Sequence, residues 1–138
     1  TLYMPQITKQ YKFCAAHKYW NDNWDEDTNI EVFDKDVKLH GHNYDLYVTI
    51  KGPIKSDSGF IINLKYLNKI VNDKVIEVLD HSQIQDNEWF KGKQPSTENI
   101  VLFIWHQILP EISLPAILHC IKLRETGTIF TEYYGDQI

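Results

Sequence analysis

His40 and His42 flank a single glycine in L-H-G-H-N-Y, at the point where an alternating apolar pattern begins. Side chains two apart in an extended chain share one face of a sheet, so these imidazoles stand side by side in a chelating arrangement. Alone, the H-x-H spacing fits two polar residues at a loop-to-strand junction equally well, and a third ligand is needed to decide. His17 ends an earlier extended segment. If the two segments are antiparallel neighbours, the end of the first lies beside the start of the second, and the three imidazoles meet. Three neutral ligands with one open position are the donor set of a catalytic zinc, a Lewis acid toward a bound hydroxyl or carbonyl. The expected ligands are therefore His17, His40 and His42, and the expected cofactor is Zn2+. Further on, L-D-H-S-Q sets Asp80 beside His81 at a helix end, where the pair reads either as a cap or as an acid–base relay.

The elements that must position these groups follow from periodicity. In residues 7–17 the odd positions Ile7, Tyr11, Phe13, Ala15 and His17 fall on one face, with Lys9 the exception, which predicts a strand. Residues 18–38 are polar, acidic and aperiodic, a long loop of the kind that carries function in a compact domain. From His42, the residues Tyr44, Leu46, Val48 and Ile50 alternate against Asn43, Asp45, Tyr47 and Thr49, a second strand closing at K-G-P-I-K-S-D-S-G. There is room for a short strand around Phe60. Asn63 can cap a helix with Leu64, Leu67, Val71, Val75 and Val78 on its buried stripe. A second helix starts from a cap at Ser96 or Thr97, carries Ile100, Ile104 and Ile108, and stops at Pro110. A-I-L-H-C-I-K-L-R-E, a turn at Gly127 and T-I-F-T-E-Y-Y-G read as a hairpin, with Ile117, Ile121, Leu123 and Glu125 on one face. The order ββααββ is that of an α+β domain, an antiparallel sheet with two helices on one face. Residues 1–138 read as one domain. The sheet edges left exposed by so small a sheet predict oligomerisation.

Composition removes several classes. Two cysteines, Cys14 and Cys120, are too few for a disulfide framework and suit a reducing compartment, so the expectation is a soluble, cytoplasmic protein. No apolar run approaches a membrane span, and the N-terminus lacks the basic-then-apolar order of a signal peptide. The net charge of -5, with acids crowded into N-D-N-W-D-E-D-T-N-I-E-V-F-D-K-D, argues against nucleic acid as a partner.

The blocks F-C-A-A-H, L-H-G-H-N-Y, L-D-H-S-Q-I, P-S-T-E-N-I and L-R-E-T-G-T-I-F-T-E-Y-Y-G occur in this order over nearly the whole chain. In these the sequence resembles the 6-pyruvoyltetrahydropterin synthase family, which includes the bacterial 6-carboxytetrahydropterin synthase of queuosine biosynthesis. The resemblance implies the tunnelling fold, in which three subunits close their sheets into a barrel and two such trimers stack. It implies zinc on His17, His40 and His42, and 7,8-dihydroneopterin triphosphate as substrate, with triphosphate eliminated. It implies a relay at Asp80 and His81, a pterin anchor at Glu125, and further pterin contacts from Thr97 and Thr126. An anchoring carboxylate can accept hydrogen bonds from the 2-amino group and the adjacent ring N–H. The triphosphate needs cations, and Lys18, Lys38, Lys65, Lys91 and Arg124 are candidates that sequence does not rank.

One family feature is missing. A cysteine four or six residues before H-G-H serves the family as general base, and here those positions hold Asp36 and Asp34. Cys14 has the wrong parity to share the face of His17 and reads as structural. Asp36 is the expected replacement, because its offset matches the bacterial branch. The leading activity is a zinc-dependent carbon–oxygen lyase giving 6-carboxytetrahydropterin, as in the queuosine pathway, or 6-pyruvoyltetrahydropterin. The alternatives are carboxylate-dependent cleavage to 6-hydroxymethyl-7,8-dihydropterin for folate synthesis, and a non-catalytic pterin- or purine-binding protein.

Overall fold

The computed structural model describes residues 3–136; the single-domain expectation over residues 1–138 includes four terminal residues that lie outside them. Strands β1 (Gln6–His17), β2 (His40–Lys51), β3 (Ile117–Thr126) and β4 (Ile129–Tyr133) form one antiparallel sheet in sequential order. Helices α2 (Leu64–Val71), α3 (Glu77–Leu79) and α4 (Thr97–Ile108) cover one face. The core lies between the layers. Phe13, Ala15, Leu46, Val48, Ile50, Ile121 and Leu123 of the sheet meet Leu67, Val71, Val75, Leu79, Ile100, Ile104 and Ile108 of the helices, all buried. At about 1.5–3 kcal/mol for each large apolar side chain fully buried, this contact fixes the sheet against the helices. The helix starts are chemically capped: the Asn63 carbonyl oxygen accepts from the Lys65 N–H at α2, and the Ser96 hydroxyl accepts from the Asn99 N–H at α4.

Several expectations need correction. The acidic stretch at residues 18–38 is not an open loop: it contains α1 (Glu26–Phe33), capped by the Asp25 carboxylate, and a 3-10 turn, Asp34–Val37. No helical periodicity announces α1, because its apolar residues Ile30 and Val32 are exposed and its buried residue is Asn29. The helix expected from Leu64 to Val78 is interrupted by a π-helical turn, Asn72–Ile76, between α2 and α3. Around Phe60 the chain turns instead of pairing, with the ring 57% exposed.

Face assignment in β3 also differs. Thr49 pairs with Cys120 but Ile50 pairs with Leu118, so His119 is an extra residue at a β-bulge. Parity reverses there: Leu118 is buried and Ile117 points out, whereas Ile121 and Leu123, beyond the bulge, point inward as the alternation requires. A second register shift falls between Arg124 and Thr126 on the β4 side, which makes Glu125 itself a bulged residue. Bulges re-aim side chains, and this one sits beside the histidines.

Candidate metal and active site

The antiparallel register pairs His17 directly with His40, and Ala15 with His42. Strand parity then turns all three imidazoles to the helix-covered face. Their ligand atoms all lie within 4.8 Å of one another. His17 is completely buried, while His40 and His42 are partly exposed, which leaves one side of the cluster open to a small molecule.

The hydrogen bonds assign the tautomers. His17 Nδ1 lies 2.7 Å from the Pro95 carbonyl oxygen, and His40 Nδ1 lies 2.8 Å from that of Lys38. A carbonyl only accepts, so each Nδ1 carries the proton and each Nε2 presents a lone pair to the cluster. Such a backbone contact to the second ring nitrogen is the usual support of a metal-ligating histidine. Among the described residues His17 Nε2 is buried without a hydrogen-bond partner, although Glu125 Oε1 stands 3.3 Å away. A buried acceptor facing another acceptor is costly unless a cation lies between them. The donor set therefore fits a metal ion of zinc type. Burial holds the His17 imidazole below its ordinary value of 6.5, which keeps it in the neutral, ligating form, with the Pro95 carbonyl and Glu125 partly opposing the shift.

Other groups surround this centre. Glu125 Oε1 is 3.5 Å from His42 Nε2 as well, and its side chain is only 13% exposed. Asp36 Oδ1 lies 3.7 Å from His40 Nε2, and the Asp36 backbone carbonyl accepts from the Tyr19 N–H at 2.9 Å. Asp34 is exposed at the end of α1 with φ of 52°, and its side chain reaches none of the histidines within ion-pair distance among the described residues. Thr126 lies next to Glu125, where its hydroxyl accepts from the Thr128 N–H in the β3–β4 turn. Thr97 is buried in the first turn of α4, two residues past the Pro95 carbonyl that holds His17. Arg124 turns to the opposite sheet face, donating to the Gly127 carbonyl and lying over the Phe130 ring.

Asp80 and His81 are a real pair but lie elsewhere. His81 Nδ1 is 2.9 Å from Asp80 Oδ2, and the imidazole is 81% exposed. The pair is stitched to the outer edge of β1: Asp80 Oδ1 accepts from the Cys14 N–H, the His81 N–H donates to the Cys14 carbonyl, and the Ala16 N–H donates to the Ser82 carbonyl. This arrangement forces His81 to φ of 58°, a left-handed conformation that costs a non-glycine residue on the order of 1 kcal/mol. The Cys14 N–H holds the Asp80 carboxyl below its ordinary value of 3.8, and His81 adds to that. Cys14 itself is exposed on the face away from the histidines.

Sequence reasoning missed two aromatic residues and one amide. The Tyr19 ring packs 5.1 Å from the His17 ring and stacks on Phe33 at 5.4 Å, and Phe33 stacks on Trp24 at 5.7 Å. This ladder ties α1 to the histidines. Tyr44, whose parity with His42 was a usable signal, is fully buried with its hydroxyl unpartnered among the described residues. Burial, and then the charge of Glu125, raise the phenols of both Tyr19 and Tyr44. Asn29 carried no signal. Its side chain accepts from the Asn21 N–H and donates to the carbonyls of Asn21 and Asp25, which folds the segment before α1.

A groove of about 500 Å3 opens at the other end of the sheet, lined by Ile7, Ile54, Phe60 and Leu64 among others. Its lining contains no histidine, cysteine or carboxylate. Among the described residues no helix is long and apolar enough to cross a membrane.

Comparison with known proteins bears on this geometry. The family model described as 6-pyruvoyl tetrahydropterin synthase matches residues 6–136. A 6-pyruvoyl tetrahydrobiopterin synthase of Dictyostelium discoideum is 36% identical over 131 residues, covering 94% of this chain and 96% of the relative. The solved structure of Caenorhabditis elegans 6-pyruvoyl tetrahydropterin synthase superposes with a TM-score of 0.91 at 25% identity, covering 98% of both chains. A dihydroneopterin monophosphate aldolase of Pyrococcus furiosus is 34% identical over 106 residues, covering 75% of this chain and 74% of the relative.

Proposed function

This chain belongs to the 6-pyruvoyl tetrahydropterin synthase family, and from that premise we propose that it is a zinc-dependent carbon–oxygen lyase acting on 7,8-dihydroneopterin triphosphate. The observation that carries the reading is the cluster of His17, His40 and His42, with buried support on Nδ1 of His17 and carboxylates on two sides. A zinc ion held there would make the side-chain hydroxyls and the neighbouring C–H of the substrate easier to deprotonate. Asp36 lies on the open side beside His40 and takes the role of base. Glu125 accepts hydrogen bonds from the 2-amino group and ring N–H of the pterin, with Thr126 beside it and Thr97 forming part of the wall.

Asp80 and His81 face solvent along β1, so they serve a site on a neighbouring copy of the chain. The outer edges of β4 and of the first half of β1 have no strand partner within the described chain, which supports closure of three sheets into a barrel and a trimer or hexamer. The Dictyostelium relative supports the pyruvoyl product over the carboxy one.

A second reading is cleavage of the side chain in a retro-aldol reaction, giving a 6-hydroxymethyl-dihydropterin. Asp36 at the position of the absent thiol favours it, since a hydroxyl made more acidic by a bound zinc would need only a carboxylate as base. So does the similarity to the Pyrococcus aldolase. Product analysis after incubation with 7,8-dihydroneopterin triphosphate separates the readings. Release of triphosphate with a pyruvoyl pterin supports the first, and a hydroxymethyl pterin supports the second. Binding without turnover would remove both.

A further inference from the structure

Glu125 is placed against the histidines more closely than contact with a pterin requires. Its Oε1 is 3.3 Å from Nε2 of His17 and 3.5 Å from Nε2 of His42. The 3.3 Å contact is not a hydrogen bond, because His17 Nε2 has no partner among the described residues and its Nδ1 carries the ring proton. The spacing has another meaning. Ligands held about 2.0–2.1 Å from a tetrahedral zinc stand about 3.4 Å from one another. A carboxylate oxygen at that separation from two imidazole nitrogens stands where a ligand sharing one ion with His17 and His42 would stand.

Backbone and burial support this placement. Glu125 shares the inward parity of the buried Ile121 and Leu123, toward the face of His17 and His42, at the bulge in the pairing of β3 with β4. The carboxylate is largely withdrawn from water, and the cations nearest in sequence do not neutralise it: Lys122 lies over the Tyr47 and Phe130 rings, and Arg124 is bent onto the Gly127 carbonyl. A buried anion needs a compensating charge, and the lone pairs converging beside it offer a site for one.

We infer that the Glu125 carboxylate is the fourth ligand of the metal in the substrate-free protein. The inference rests on the reading that the histidine cluster holds zinc. In the substrate-free protein Glu125 would join His17, His40 and His42 in holding the ion, and the same carboxylate would be the one offered to the pterin N–H groups.

Zinc affinity of the substrate-free protein, measured by competition with a chromophoric chelator, tests this without any turnover assay. Glu125→Gln and Glu125→Ala should each weaken zinc binding by about tenfold or more, as loss of a supporting ligand does. In the unsubstituted protein, zinc addition should shift a carboxylate stretching band in the infrared difference spectrum, a readout that needs no variant to fold. Zinc affinity within twofold of the unsubstituted protein in both variants, or no carboxylate shift on zinc addition, would overturn the assignment. His40→Ala separates the two claims: undiminished zinc affinity there, or no zinc binding by the unsubstituted protein, refutes the histidine centre itself.

Discussion

Asp36 is positioned by its backbone more than by its carboxylate. The Tyr19 N–H holds the Asp36 carbonyl, while the carboxylate, 3.7 Å from His40, is over half exposed and free to reach a substrate. Asp36→Asn keeps this backbone contact and the shape of the site but removes the base. Turnover should fall by about 10²–10⁴-fold with zinc content unchanged, as measured by steady-state kinetics and metal analysis of the same sample. Full activity in that variant would move the role to Asp34 or His81. Asp80 has a structural task that pH exposes. Its folded value is depressed, so its contribution to stability is complete above 3.8 and is lost as pH falls through the lower folded value. The stability gap between the protein and Asp80→Asn, followed by thermal unfolding, should be constant above 3.8 and should close below it. A gap that persists in strong acid would mean that the difference does not come from the Asp80 charge.

The elements were legible in the sequence where a buried apolar stripe or strand alternation marks them. Parity put His40 and His42 on one face and Glu125 on the inward face of β3, antiparallel pairing of the first two strands was the condition that brought His17 to them, and Asn63, with Ser96 or Thr97, was readable as a cap. Helix α1 was not legible by that route, because a polar residue organises it. Its signal was the cap, Asp25 followed by Glu26 and Asp27. The bulge at His119 escaped too, since no residue type marks it and the register is decided by how β2 and β3 pair. Asn29 tests how α1 is held. Asn29→Ala strands the Asn21 N–H and leaves the carbonyls of Asn21 and Asp25 with only the backbone N–H groups of Trp24 and Asn29, which should cost about 1–3 kcal/mol in denaturant unfolding. Because α1 leads into Asp36 and stacks through Phe33 on Tyr19, the same change should lower turnover while leaving the metal content of the protein unchanged. Unchanged stability would show that the segment is held by the aromatic ladder instead.

At the scale of the whole molecule the sheet is incomplete by itself. Among the described residues the outer edge of β4 is uncovered, only the end of β1 is covered, by the chain around Asp80 to Gln83, and the pair of Asp80 and His81 lies on that outer edge with the imidazole exposed. Sedimentation at micromolar concentration should therefore give a trimer or hexamer. A clean monomer with full activity would show that the outward-facing relay is not needed. The central claim is that the three-histidine cluster holds the zinc on which lyase chemistry depends. The direct measurement is turnover of 7,8-dihydroneopterin triphosphate by chelator-stripped protein titrated with zinc. Stripped protein should be inactive, with activity returning in proportion to added zinc and saturating at one equivalent per chain. Undiminished turnover by the stripped protein would contradict the account.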